Sequence, residues 1–161
     1  MGAAGAGVRG LGAQQPIARR RRCASGARKR PPPAHPLADR HRPRGPLRRA
    51  GRTVARWPVV VGTPATPTPP GLFAIQASYR SPPGSFYGAR ILALTAHSDV
   101  LATFDGRDGR VALHGRGGAS LTDPLGTAAS HGCVRFDDRA IDAIVHRIGR
   151  AALPGVPVAI S

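Results

Sequence analysis

The distribution of apolar residues along the chain limits where a folded core can form. Residues 1–53 of the 161 hold 14 of the 24 Lys and Arg residues, a single acid, Asp39, and only five Leu, Ile, Val or Phe. That apolar share is well below the roughly one-fifth under which chains remain disordered. We therefore predict a disordered basic tail at residues 1–53 and one folded domain at residues 54–161.

The formal charge of +16 lies mostly in this tail and raises the question of a nucleic-acid or anionic-lipid partner. No aromatic residue or binding motif accompanies the arginines, so we expect a solvated leader and no specific nucleic-acid binding. The composition, 23 Arg with one Lys and no Glu, also fits a misplaced start or a shifted reading frame. We identify no export signal, because the small apolar residues at the start precede the basic cluster at residues 19–22 instead of following it.

The second part of the chain carries short apolar runs separated by turn residues, which is typical of β-strands. Strands are predicted at residues 54–61, 71–76, 91–95, 100–104, 111–113 and 156–160, with a turn at Asp108 and Gly109. One stretch has helical periodicity instead, because its apolar residues recur at i, i+3, i+4 and i+7 from Ile141. We predict a helix at about residues 138–149, capped by Asp137 or Asp138, in a mostly β fold.

Chemistry concentrates between Leu113 and Phe136, where His114-Gly115 is followed by Ser130-His131-Gly132-Cys133-Val134-Arg135. A thiol becomes a strong nucleophile as thiolate, and a nearby imidazole can take its proton. Adjacent glycines let backbone N–H groups approach a developing oxyanion. The pattern predicts a Cys/His acyl-transfer centre at Cys133, whereas Cys23 has no such neighbours and no reason to pair with it.

This block resembles the L,D-transpeptidase catalytic domain of the YkuD type, whose signature is a His-Gly, a spacer and Ser-His-Gly-Cys. The spacer here has 14 residues. The Thr-Pro-rich turn between Gly62 and Gly71, the helix and the chain end also resemble that family, over residues 54–161. The resemblance implies a β-sandwich-like fold. That family's domain opens with one or two strands before residue 54. Here residues 46–53 could hold a remnant of one, but residues 40–49 have no alternating apolar run, and the alternative is that the domain lacks its first strand.

The resemblance also implies an activity on peptidoglycan, and with it roles in bacterial cell-wall biogenesis, degradation and cell shape. Such enzymes attack the carbonyl of the third stem-peptide residue, release D-alanine and pass the acyl group to an amine of another stem, forming a 3→3 cross-link. We expect a monomer without metal or organic cofactor, located outside the cytoplasmic membrane. Carbapenem β-lactams are expected to acylate its cysteine.

Residue roles follow from the same resemblance. Cys133 corresponds to the nucleophile, His114 to the general base, and the backbone carbonyl of Gly115 to the group that orients the imidazole. His131, Gly132 and Ser130 are expected to shape the pocket, Ser130 by bracing the turn through hydrogen bonds, with the backbone N–H groups of residues 131–133 as the oxyanion hole. Two further residues are expected to contact substrate: Arg135 and Tyr87.

Three alternatives stay open from the residues themselves. The first is a thiol hydrolase of cell-wall peptides, with water as the acceptor. The second is a metal site formed by His114, His131 and Cys133, since these residue types can leave one position open on zinc. The third is a basic nucleic-acid-binding protein that works through residues 1–53.

Overall fold

The computed structural model describes residues 35–38, 43–104 and 106–161. Cys23 and most of the predicted tail, residues 1–34 and 39–42, lie outside that part of the chain. The described chain is mostly β with one α-helix, which confirms the predicted fold class. Its strands are β1 His35–Ala38, β2 Arg44–Arg49, β3 Arg52–Pro58, β4 Val61–Gly62, β5 Gly71–Arg80, β6 Arg90–His97, β7 Thr103–Phe104, β8 Arg107–Asp108, β9 Arg110–His114, β10 Ala128–Ser130, β11 Val134–Arg135 and β12 Pro157–Ile160.

Eight of these strands form one sheet in the order β11-β9-β6-β5-β12-β1-β2-β3. Two small sheets, β10 with β4 and β7 with β8, lie outside it. Antiparallel pairing joins β5, β6 and β9, whereas β11 runs parallel to β9. The strands that carry the His-Gly and the Cys motifs are therefore direct neighbours at one edge of the sheet.

The boundary predicted at residue 54 is wrong, because β1, β2 and the start of β3 precede it in the main sheet. The Arg-rich strand β2 lacks the alternating pattern of a half-buried strand, because its buried residues are consecutive, Gly45 to Leu47. Its register with β3 also shifts after Leu47. A Cβ on Gly45 would approach the Phe136 ring to 2.5 Å, so β2 packs directly on the core. The first strand, expected in the alternative to be missing, is thus supplied by the segment assigned to the tail.

The helix α1, Asp138–Ile148, covers one face of the sheet. Asp137 is its N-cap and accepts a hydrogen bond from the Arg139 N–H at 2.9 Å, which settles the choice between the two aspartates. The helix buries Ile141, Ile144 and Val145 against alternate residues of β6 and β9. The opposite face of those strands is left to form the candidate site.

One predicted strand is largely absent. Residues 100–104 contribute only β7, because Val100 is exposed and the chain bends before Thr103. The turn expected at Asp108 and Gly109 also differs, since Asp108 belongs to β8 and the β7–β8 hairpin turns earlier. Within the described residues, no helix has the length and apolar character needed to cross a bilayer.

Candidate active site

The pairing of β9 with β11 brings the predicted catalytic residues to one surface. His114 is opposite Arg135, and Leu113 is opposite Val134. Because side chains alternate along a strand, Leu113 and Val134 enter the core while His114 and Arg135 turn to the other face. Cys133 immediately precedes β11, two residues from Arg135, and therefore shares that face with His114.

This face forms the floor of a cavity of about 590 Å³. His114, His131, Cys133 and Arg135 all line it. Its walls come from the loop after β5 and from the β7–β8 hairpin. The other residues that line the cavity include Tyr79, Ser81, Phe86, Tyr87, Leu101, Phe104, Arg110 and Ala112. A cavity of this size with convergent polar groups on its floor has the form of a small-ligand site.

His114 is 1 % exposed and is held by the backbone. Its Nδ1 lies 2.7 Å from the carbonyl oxygen of Gly115. A carbonyl only accepts hydrogen bonds, so the proton of the neutral ring is on Nδ1 and Nε2 carries the lone pair. Burial lowers the pKa of His114 to about 4. The carbonyl groups of Gly115 and Tyr87 oppose this shift, because they favour the charged ring. The imidazole is therefore neutral near pH 7 and can accept a proton.

The Cys133 thiol is also neutral in the resting site. Burial of the thiol raises its pKa above the ordinary value, although the backbone N–H of Ala112 and the charge of Arg135 favour the thiolate. The residue is half-buried and unpaired, the described chain holding no other cysteine. The thiol and the imidazole therefore line the same cavity in their neutral forms near pH 7.

Ser130 braces the turn that carries the cysteine. Its hydroxyl donates to the Cys133 carbonyl at 2.6 Å and accepts from the Gly132 N–H at 3.2 Å. One of the three backbone donors predicted for an oxyanion hole is therefore engaged, which leaves the N–H groups of His131 and Cys133. Gly132 has a φ of +115°, a conformation that any other residue would adopt only with strain.

The Thr-Pro-rich turn after β4 supports the cysteine turn from behind. The Thr63 N–H and the Thr66 hydroxyl both donate to the Ser130 carbonyl, at 2.9 and 3.2 Å. The Gly62 N–H donates to Thr68 Oγ1 at 2.8 Å, and a Cβ on Gly62 would overlap the turn backbone at 2.2 Å. The glycine and threonines of this turn thus help to position the loop that carries Cys133.

Arg135 is paired within the protein. Its guanidinium forms an ion pair with Asp123 and lies over the Phe86 ring, 4.9 Å from the ring centroid. The residue is 3 % exposed, and its Nε has no hydrogen-bond partner among the described residues. Arg135 therefore ties the loop at Asp123 to the cavity floor and keeps one buried donor.

Aromatic side chains complete the cavity. Tyr87, a predicted substrate-contacting residue, has its ring edge-on to His114 at 5.1 Å between centroids. His131 is exposed and its ring lies 5.3 Å from that of Phe104 on β7. Phe86, Phe104 and Asp123 were not predictable as cavity residues, since aromatic and acidic residues isolated in loops carry no spacing signal.

The metal-site alternative finds no geometric support. Among residues 35–38, 43–104 and 106–161, no three His, Cys, Asp or Glu side chains lie close enough to hold a metal ion. His114 is buried and bonded to Gly115, whereas His131 is turned outward against Phe104.

Comparison with known proteins identifies the fold. An L,D-transpeptidase from Mycobacterium smegmatis superposes with a TM-score of 0.56 at 18% identity, covering 80% of this chain and 58% of its own. L,D-transpeptidase 3 from Mycobacterium tuberculosis, in complex with a faropenem-derived adduct, gives 0.58 at 16% identity, covering 81% and 60%. The L,D-transpeptidase LdtMt1 in complex with imipenem gives 0.54 at 20% identity, covering 80% and 58%.

This chain spans about three-fifths of the length of those proteins. No curated protein sequence matches it significantly. The family model of the L,D-transpeptidase catalytic domain (YkuD) matches residues 38–160, which include β2, the His-Gly element and the Cys motif. With this match over most of its length, the chain belongs to the L,D-transpeptidase catalytic domain family.

Proposed function

We propose that this protein is a cysteine-dependent L,D-transpeptidase that acts on peptidoglycan stem peptides outside the cytoplasmic membrane. The observation that carries the proposal is that His114 and Cys133 line one cavity, in which the imidazole is fixed by the bond between its Nδ1 and the Gly115 carbonyl. Family membership supports an L,D-transpeptidase activity in general. The nucleophile, the donor carbonyl and the 3→3 product are our assignments.

The reaction begins from the neutral pair. As the Cys133 sulfur attacks the carbonyl carbon of the third stem residue, its proton moves to Nε2 of His114 and the carbonyl oxygen becomes an oxyanion. Collapse of this intermediate breaks the amide bond, and the departing D-alanine amine takes the proton from Nε2. The acyl group then remains on sulfur as a thioester. A positioned base of this kind contributes about 10²–10⁴-fold to the rate.

The oxyanion is stabilised by backbone donors of the cysteine turn. The N–H groups of His131 and Cys133 serve this role, since Ser130 already accepts the N–H of Gly132. The bond from Ser130 to the Cys133 carbonyl holds the turn in place before substrate arrives. Electrostatic stabilisation without reorganisation is the largest gain such a preformed turn can provide.

The second half-reaction transfers the acyl group to an amine of another stem peptide. The amine attacks the thioester carbonyl, His114 Nε2 takes its proton, and the Cys133 thiol is restored as that proton returns to sulfur. Arg135 lines the cavity floor while its guanidinium is paired with Asp123, and we assign it to contact with a substrate oxygen. Tyr87 and Phe86 provide apolar walls for the stem peptide.

The test is covalent capture by imipenem, because a thiolate opens the strained β-lactam and the whole molecule stays attached as a thioester. We expect intact-mass spectrometry of the full chain to give one imipenem mass added per protein, located by peptide mapping at Cys133. Cys133→Ala should give no adduct, and Cys23→Ala should react as the parent does.

Cross-linking is tested separately, with a stem tetrapeptide as donor. Release of D-alanine together with a dimer joined through the third residues is expected, and release with water as the only acceptor would instead support the hydrolase. A folded protein, by circular dichroism, that neither binds imipenem covalently nor releases D-alanine would overturn the proposal.

A further inference from the structure

The first turn of α1 contains two adjacent aspartates with different tasks. Asp137 caps the helix through the Arg139 N–H. The side chain of Asp138 extends away from the helix, and its Oδ1 accepts hydrogen bonds from two loops. The donors are the Ala89 N–H at 3.0 Å and the Arg116 N–H at 3.1 Å. A half-buried carboxylate that joins two loops is not needed to start the helix, so its role lies with those loops.

The second of these bonds leads directly to the base. The Arg116 N–H and the Gly115 carbonyl belong to the same peptide group, since that group joins residues 115 and 116. Its N–H donates to Asp138, and its carbonyl accepts from Nδ1 of His114 at 2.7 Å. The carboxylate, the peptide and the imidazole therefore form a continuous hydrogen-bonded series.

The first bond holds the other side of the ring. The Ala89 N–H follows Gly88 and Tyr87, and Tyr87 contacts His114 with its ring and favours the charged imidazole through its backbone carbonyl. Asp138 thus fixes both backbone segments that flank the imidazole. Hydrogen bonds in such a series polarise one another, so an anion at one end strengthens the carbonyl at the other.

Two glycines admit the carboxylate. A Cβ on Gly115 would lie 1.9 Å from Asp138 Oδ1, and one on Gly88 would lie 2.1 Å from the same atom. Gly88 also has a φ of +64°, whereas Gly115 has no positive φ to account for it. Space for Asp138 is therefore the local reason that residue 115 has no side chain.

We propose that Asp138 is a positioning residue for the base, acting through the Gly115–Arg116 peptide as the remote carboxylate of the His114–Cys133 pair. It orients His114 by holding the carbonyl that binds Nδ1. It also stabilises the imidazolium that forms when Nε2 takes the thiol proton, because the polarised carbonyl carries more negative charge. This inference rests on the proposed function for its catalytic meaning, and its geometry is independent of the substrate.

The experiment compares Asp138→Ala, Asp138→Asn and Asp137→Ala with the parent. Two rates are measured from pH 3 to 9 on the full chain: imipenem acylation by intact mass, and alkylation of Cys133 by iodoacetamide, followed on its own peptide so that Cys23 does not contribute. We expect Asp138→Ala to slow acylation by about 100-fold, the cost of a misplaced catalytic group. Asp138→Asn keeps an acceptor oxygen without the charge, and we expect a loss of about tenfold, with the acid limb of both profiles at lower pH.

Asp137→Ala is the matched control, because it removes the cap of the same helix and leaves both loop bonds in place. It should lower the melting temperature and leave both pH profiles where they are in the parent. If Asp138→Ala fails to fold, Asp138→Asn decides: profiles and rates equal to the parent's would overturn the inference. Arg135, the cation opposite His114, is present in every variant, so its effect on the ring is common to all.

The two proposals fail in different ways. A parent that takes no imipenem on Cys133, while its alkylation profile still shifts on changing Asp138, would sink the transpeptidase assignment and keep the positioning role. A parent that is acylated at the same rate and with the same profile as Asp138→Ala would do the opposite.

Discussion

The two edge strands of the eight-stranded sheet are protected from pairing with other strands in different ways. At one edge, β11 is two residues long and buried, and its Arg135 exchanges backbone hydrogen bonds with Val60 at 2.9 Å in both directions. At the other, β3 is seven residues long and mostly exposed, with Arg52 and Arg56 along it and Pro58 at its end. Charge and proline prevent the pairing of open edges, whereas burial removes the edge altogether.

The difference shows where precision is needed. The β11 edge carries Arg135 and follows Cys133, so any slip of its register would move Cys133 away from His114. The β3 edge carries no candidate site residue and needs only to complete the sheet. Motif residues therefore concentrate at the covered edge, and the open edge tolerates a composition that resembles a tail.

The largest effect is expected from removing the open edge. Residues 54–161 alone lack β1, β2 and part of β3, so β12 loses its parallel neighbour and Leu47, fully buried in the native protein, is gone. We expect this fragment to show no cooperative unfolding by circular dichroism, in contrast to the full chain. A fragment that melts cooperatively would indicate that the open edge is dispensable and would restore residue 54 as the boundary.

The two edges are expected to differ in how the free energy of unfolding depends on pH. The folded-state pKa of His114, about 4, is below its ordinary value of 6.5, so the unfolded chain binds the extra proton first as pH falls. Stability is therefore complete above pH 6.5 and lost progressively towards pH 4, by at most about 3 kcal/mol at 1.36 kcal/mol per pKa unit.

Urea unfolding at a series of pH values measures that slope. His114→Gln should flatten it between pH 6.5 and 4, because glutamine does not titrate. Arg52→Gln at the open edge is the control and should leave the slope as in the parent, since arginine stays charged throughout this range. An unchanged slope in His114→Gln would assign the acid loss to other groups.

The smallest effects come from one methyl group added at each edge. At Gly115 a Cβ meets Asp138 Oδ1 at 1.9 Å, and we expect Gly115→Ala to cost about 3 kcal/mol by overpacking and to impair the base. At Gly51, in the β2–β3 turn, φ is +77° but no atom lies within 4 Å, so Gly51→Ala should cost about 1 kcal/mol through backbone strain alone. Chemical denaturation of both variants checks the pair, and equal costs would contradict the difference between the edges.

Much of the site was predictable because its chemistry needs fixed residue types at short spacing. Ser130 to Cys133 form one turn, and Ser130 bonds within that turn as expected. His114 and Gly115 are adjacent, so their hydrogen bond is local. The α1 helix follows from its periodicity, and its predicted end differs from Ile148 by one residue.

Long-range contacts were not predictable in the same way. Asp138 contacts Ala89 and Arg116, which are far from it in sequence, and was interpreted only as a possible helix cap. Strand β2 was not predictable, because an arginine-rich segment with Gly and Pro has little intrinsic strand preference. Its neighbours β1 and β3 impose the extended form.

Patterns along the chain predict the motif, the helix and the family resemblance, because each depends on residues near one another in sequence. Three features emerge only in the folded chain: residues before 54 complete the sheet, Arg135 pairs with Asp123, and Asp138 is linked to His114 through a peptide group. Pairing, burial and buried hydrogen bonds join distant segments, and their free energies exist only once those segments meet.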